Sequence, residues 1–173
     1  VTIATHNSWK PGDARGWRAR GHKRHSSGDY RSPPPEHEHE GLRRWMQTHS
    51  GGKVVIPREL RAAVVAALLK KIQAMAIRCH AISVSATHAH LVVELPDEVA
   101  MIRKFVGQWK QAASHAVRAG LPGKVWAEGG DWEPLDSVQR LGNAFAYVTQ
   151  KQGPGAAVWS FREAGGRVPE GRN

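Results

Sequence analysis

The sequence predicts an α+β fold whose elements run strand, helix, strand, strand, helix, strand, with one more helix added towards the C-terminus. Three observations predict it. "PRELRAAVVAALLKKIQAM" (57–75) and "PDEVAMIRKFVGQWKQAASHAVRAG" (96–120) are long segments that carry helix start and stop signals. Between them lie two short apolar runs, "CHAISVSA" (79–86) and "HAHLVVEL" (88–95). A third helical segment, "LDSVQRLGNAFAYVTQKQG" (135–153), closes on Gly153-Pro154.

The first strand is "VTIATHNSW" (1–9), in which β-branched and polar residues alternate before the turn at Pro11-Gly12-Asp13. Residues 10–53 read as a long polar insert, basic in its first half and rich in Pro, Glu and His in "SPPPEHEHEG", with a short helix around "GLRRWMQTH". An insert of this length inside a domain is usually functional or disordered. In the helix at 57–75, Pro57 suits the first helical position, Glu59 the first turn, and the alanine and leucine content the interior. The runs at 79–86 and 88–95 are two strands joined at Thr87 or one long bent strand. The helix at 96–120 starts behind Pro96 with acidic residues and stops at Gly120, with Phe105 and Trp109 expected in the core. "GKVWAE" (123–128) reads as the last strand of the plan and "GGDWEP" as a turn. The tail "AAVWSFREAGGRVPEGRN" begins with a strand-like run and is expected to be disordered over 162–173. This is the split βαββαβ, ferredoxin-like order with a C-terminal extension. One domain over 1–161 is the expected organisation.

The chain of 173 residues carries 25 Lys and Arg against 15 Asp and Glu, a formal charge of +10, which favours a polyanionic partner, nucleic acid first. No stretch approaches the roughly 18–20 apolar residues of a membrane span. The opening residues do not read as a secretory signal, and the chain starts at Val1 rather than Met, so residues are expected upstream. Cys79 is alone, which excludes an internal disulfide or a multi-cysteine zinc site. A reducing cytoplasm is the expected setting, with no membrane and no small-molecule substrate.

His88 and His90 stand two apart in a strand, so both side chains point to the same face, about 7 Å apart at Cβ, and can grip one metal ion. The alternative is a pair of hydrogen-bonded histidines at a sheet edge. Tyr147 lies in the last helix. There Val138, Leu141, Phe145 and Val148 form an apolar stripe, while Arg140, Asn143, Tyr147, Gln150 and Lys151 fall on another, polar face. Packing or function are both open to such a tyrosine. Arg15, Arg18, Arg20, Lys23, Arg24 and Arg31 form a basic stretch with Trp17 and Tyr30, the mixture that holds phosphates and stacks on unpaired bases. Arg103, Lys104, Lys110 and Arg118 add charge on the helix at 96–120. "EHEHE" beside three prolines reads as linker, and His80 is too far along the strand to join the same ion as His88.

"THAHLVVELP" resembles the histidine–hydrophobic–histidine signature of the HUH endonucleases. The order of the parts resembles their single-tyrosine transposases, including the REP-associated tyrosine transposases. "VTIATHNSWKPGDARGW" is similar to the opening strand and turn of some members, and "VGQWKQAASHAVR" to the helix after the histidine strand. "KVWAEGGDWEPLDS" with "AYVTQKQGPGAAVW" is similar to the final strand and tyrosine helix, so the likeness spans residues 1 to about 161. The resemblance implies a palm-like βαββαβ domain and a transposase that cleaves and rejoins single-stranded or hairpin DNA. In that chemistry Tyr147 is the nucleophile, a 5′-phosphotyrosine is the intermediate, and His88 and His90 hold a divalent ion on the scissile phosphate.

The family's third ligand is a polar residue about one turn after the tyrosine, for which Gln150 is chosen here over Lys151 and Gln152. Ala89 stands where the family usually has a bulky apolar residue. The family implies Mg²⁺ or Mn²⁺, whereas imidazole ligands by themselves suggest manganese or zinc. Two other readings stay open: a domesticated, catalytically weak binder of DNA hairpins, and an RNA-binding ferredoxin-like module. The family contains both monomers and dimers that exchange tyrosines.

Overall fold

The computed structural model describes residues 1–13, 16–17, 25–27, 32, 34–35 and 37–162. Strand β1 spans Thr2–Ala4, helix α1 Glu40–His49, helix α2 Arg58–Ala74, strand β2 Cys79–Val84 and strand β3 His88–Val93. Helix α3 spans Val99–Ala116, helix α4 Val138–Gln150 and strand β4 Ala157–Ser160. The architecture is α+β: a four-stranded antiparallel sheet in the order β1-β3-β2-β4, with four helices among the described residues.

The chain divides into two compact units, one of Val1–Thr5 with Val55–Asn173, the other His6–Val54. The first holds the sheet. β2 and β3 are an antiparallel hairpin, with Ser83 opposite His90 and Val84 opposite Ala89. Its two faces have different partners because strand side chains alternate. Ile3, Ile82, Val84, Ala89 and Leu91 point one way and are buried. They lie under α2, which turns Val64, Val65, Leu68 and Ile72 to the sheet side, and α3 packs on α2 through Ile102, Val106, Trp109 and Ala113. Ala89 belongs to this layer, so the residue between the histidines is a core contact. The other face carries Thr2, His88, His90, Ser83, Ala81 and Val92. Its far end is closed by α4, where Val148, Leu141, Ala144 and Phe145 pack on Ala81 and Val92.

Helix bounds follow the local chemistry with small corrections. Pro57 is the N-cap of α2, with extended backbone (ψ 148°), rather than its first helical residue. The Ser137 hydroxyl caps α4 by accepting the Arg140 backbone N–H at 3.2 Å. Val138, expected in the apolar stripe, is 87% exposed, because the first turn of α4 overhangs the sheet and only Leu141 onwards meets it. The run at 123–128 forms no strand. It meets β1 through single bridges, Thr5 with Trp126 and, just beyond it, Thr2 with Asp131.

The second unit contains α1, with Ser26 and Trp17 exchanging hydrogen bonds: Ser26 N to Trp17 O at 3.0 Å and Trp17 N to Ser26 Oγ at 2.9 Å. Gly12 is required here, since it has φ +83° and a Cβ would sit 2.7 Å from the Arg43 backbone nitrogen. Most of the tail expected to be disordered, 163–173, lies outside the described residues. No helix among them is long and apolar enough to cross a membrane.

Candidate active site

Pairing across the sheet builds the site. His90 on β3 stands opposite Thr2 on β1 and Ser83 on β2, which sets the three side chains in one row on the α4 face. His88, two residues back, joins that face, and the two imidazole centroids lie 4.6 Å apart, edge to face. The phenol ring of Tyr147 meets His90 at 5.3 Å, also edge to face. One chain therefore brings His88, His90 and Tyr147 together. Tyr147 is half-exposed, 47% of its surface, while Val148 beside it is buried. A rigid helix thus anchors the phenol through its neighbour and leaves the ring open to a ligand.

Hydroxyl groups orient both imidazoles. His88 Nδ1 lies 3.0 Å from Ser85 Oγ, and that hydroxyl donates its own proton to the His88 carbonyl at 3.1 Å. Ser85 Oγ is left to accept, so Nδ1 carries the ring proton and Nε2 keeps its lone pair. His90 Nδ1 lies 3.0 Å from Thr2 Oγ1. Such partners direct the opposite nitrogen of a histidine towards a metal. Burial, then the neighbouring His88, push the His90 pKa down from its ordinary 6.5 to about 4. Burial also lowers His88, against a raising hydrogen bond from the Gln152 side chain. Both rings are thus neutral near pH 7, the form that ligates a metal.

The sign of that shift yields a stability prediction. Between about pH 4 and 6.5 an unfolded chain binds a proton at His90 that the folded chain refuses, so stability falls as pH falls through that range. Urea denaturation of metal-free protein should give a midpoint that drops between pH 6.5 and 5, above most carboxylate titration. His90→Asn should flatten the drop.

Gln152 is the glutamine brought to the histidines. Its Nε2 donates to the Tyr147 carbonyl at 3.0 Å, and the side chain lies close enough to His88 to raise the pKa of that ring. Gln150, expected to share the Tyr147 face, is exposed. Helix α4 ends at Gln150 with Lys151 as C-cap, so helical spacing stops applying there and the following turn returns Gln152 towards Tyr147. Thr2, Ser85 and Gln152 are the site residues that sequence reasoning did not select. Gln152 stood among the polar residues after the tyrosine, and a hydroxyl three residues before a strand histidine was the signal for Ser85.

The expected DNA contacts separate into three groups. Arg15, Arg18, Arg20, Lys23 and Arg24 lie outside the described residues. Trp17 is not available for base stacking: it is buried to 9% exposure with the His39 ring against it at 5.6 Å, because its large apolar surface packs inside its own unit. Lys110 is also withdrawn from phosphate binding. Its ammonium donates to the Ala127 carbonyl at 2.7 Å and to that of Gly129, tying down the segment beside β1. Lys104 is exposed on α3, across the sheet from the histidines. His80 pairs with Glu94 at 3.1 Å and packs against Phe161, apart from the site. Burial pushes the Cys79 thiol up to about 12, which leaves it inert.

Among the described residues no group of three or more His, Cys, Asp or Glu could hold a metal. The donors at this site are two imidazoles and an amide oxygen, a set that fits a divalent ion with open positions for substrate oxygens. No family model matches the chain, no curated protein matches it, and no solved structure matches it.

Proposed function

We propose that this protein is a metal-dependent DNA strand transferase of the HUH single-tyrosine kind, acting on single-stranded or hairpin DNA. The observation that carries the reading is the meeting of Tyr147 with His90, far away in the chain, at a ring separation of 5.3 Å, with the His88 ring 4.6 Å from that of His90. The bridges of the 126–131 segment to β1 support a ferredoxin-like palm, since they put that segment at the sheet edge where the plan sets its last strand.

In this reading His88, His90 and Gln152 hold the divalent ion, Gln152 replacing the Gln150 chosen from sequence. Bound there, Mg²⁺ or Mn²⁺ would supply charge withdrawal from the scissile phosphate. Tyr147 Oη attacks the phosphorus and loses its proton. The P–O3′ bond breaks, and the 3′ oxygen departs as a hydroxyl after taking up a proton. The DNA 5′-phosphate stays on the tyrosine, and the bond energy retained there lets a later 3′-hydroxyl reverse the step and rejoin strands. Thr2 and Ser85 keep both rings in the ligating orientation. The Ser137-capped helix holds Tyr147 through Val148, so the nucleophile needs little reorganisation.

The test is a hairpin with a single-stranded flank, labelled at its 3′ end and incubated with protein and Mn²⁺. The transferase reading expects a cut strand with the label attached to protein. A shifted but uncut hairpin would instead identify the catalytically weak hairpin binder.

A further inference from the structure

A cavity of about 430 Å³ lies within the second unit, beside helix α1. Its described lining carries three cations, Lys10, Arg43 and Lys53, against one carboxylate, Asp13. We propose that this unit is a nucleic-acid site of its own, separate from the chemistry of Tyr147. The cavity takes a backbone phosphate of an unpaired strand, and the exposed Trp45 ring takes a base. Residues 6–54 hold twice as many Lys and Arg as Asp and Glu, which suits a polyanion.

The cavity has donors to spare. Arg43 is half-buried, and among the described residues its guanidinium has no hydrogen bond or ion pair, so its five N–H groups stay available. Lys53 is exposed. Lys10 gives one N–H to the Gly51 carbonyl at 2.5 Å and keeps two, so Arg43 and Lys53 are the principal phosphate donors. Helix α1 ends beside the cavity, where free carbonyls would repel an anion. Those carbonyls are taken. Met46 O accepts the Ser50 N–H at 3.1 Å, Ser50 O the Asn7 amide, and Gly51 O the Lys10 ammonium.

Trp45 is 55% exposed and stacks on His49, with ring centroids 4.7 Å apart and planes 16° from parallel. His49 Nδ1 donates to the Trp45 carbonyl at 2.9 Å, which pins the imidazole over one indole face. Helical side chains lean towards the N-terminus, so the other indole face is turned to Gly41, one turn earlier. A Cβ at Gly41 would meet nothing within 4 Å, and its backbone has no positive φ that calls for glycine. An unpaired base stacks on such an open face whatever its identity. Arg43 and Trp45 belong to different flanks of one helix roughly 10 Å wide, a span that a few nucleotides cross. A free phosphate ion would use the cavity alone.

The experiment measures binding of labelled single strands to the whole chain in EDTA: dT12 and an abasic 12-mer with the same number of phosphates. Trp45→Leu should weaken dT12 roughly tenfold, the loss of one base stack, and leave the abasic strand unchanged. Trp45→Phe keeps a smaller ring and should fall between, which separates stacking from misfolding. Arg43→Gln combined with Lys53→Gln should weaken both strands and lower the slope of log affinity against log salt by roughly one. Inorganic phosphate should leave dT12 bound at matched ionic strength. The proposal is overturned by no binding of dT12, by equal dT12 affinity in wild type and Trp45→Leu, or by an unchanged salt slope in the double variant. Release of dT12 by inorganic phosphate, with Trp45→Leu indifferent, would make the cavity a free-phosphate site and also overturn it. Adduct formation with Mn²⁺ is scored separately, so this site and the strand-transferase reading fail independently.

Discussion

Tyr147→Phe protein mixed with 3′-labelled hairpin DNA and Mn²⁺ is expected to form no covalent adduct, a fall of at least on the order of 10³-fold, as when a nucleophile is removed. The substitution deletes one oxygen and nothing else that the fold uses. The ring that meets His90 at 5.3 Å is retained, and the site is half-exposed, so stability should move by no more than about 0.5 kcal/mol. Hairpin affinity should change less than about threefold, since the phenol hydroxyl is one contact among many along the strand. Denaturing gels score the adduct, and filter binding scores affinity. An adduct persisting in the Phe protein would move the nucleophile elsewhere and overturn the proposal.

The second large effect concerns the metal. Manganese at about 100 times its dissociation constant should stabilise the folded protein by about 2.7 kcal/mol, equivalent to roughly 5–10 °C in Tm for a chain of this length. His88→Ala and His90→Ala should each abolish that shift and strand cleavage with it. Gln152→Ala should weaken Mn²⁺ binding roughly ten- to a hundredfold, while Gln150→Ala should leave it unchanged. Thermal melts with and without Mn²⁺ measure all four. A melt that responds to Mn²⁺ identically in the His90→Ala protein would disprove the metal site. An effect at Gln150 in place of Gln152 would return the third ligand to the helical position.

Much of this site was legible before any coordinates. The two-residue period of a strand is enough to set His88 and His90 on one face, and the structure has both rings there. Helical periodicity separated Tyr147 from the stripe of Leu141, Phe145 and Val148, and that stripe is the one packed on Ala81 and Val92. The same periodicity failed at both ends of α4. Val138 precedes the point where the helix touches the sheet, and Gln152 follows its C-cap. Aromatic and basic residues in one stretch read as a nucleic-acid surface, but Trp17 was taken into the interior of its unit. Lys110 was taken by two backbone carbonyls. Composition cannot distinguish a side chain offered to solvent from one already partnered inside the fold.

By itself the sequence determined the three long helical segments, the two apolar runs between the central helices, the shared face of the two histidines and the separation of Tyr147 from the apolar stripe of its helix. These follow from local periodicity and capping, which act within a few residues. The tertiary structure alone decided that Tyr147 lies against His90, that Thr2 and Ser85 set the imidazole orientation, and that Gln152 supplies the nearby amide. Strand register and the turn after α4 settle those contacts. Both depend on pairings such as Thr2 with His90, 88 residues apart in the chain, that no local pattern encodes.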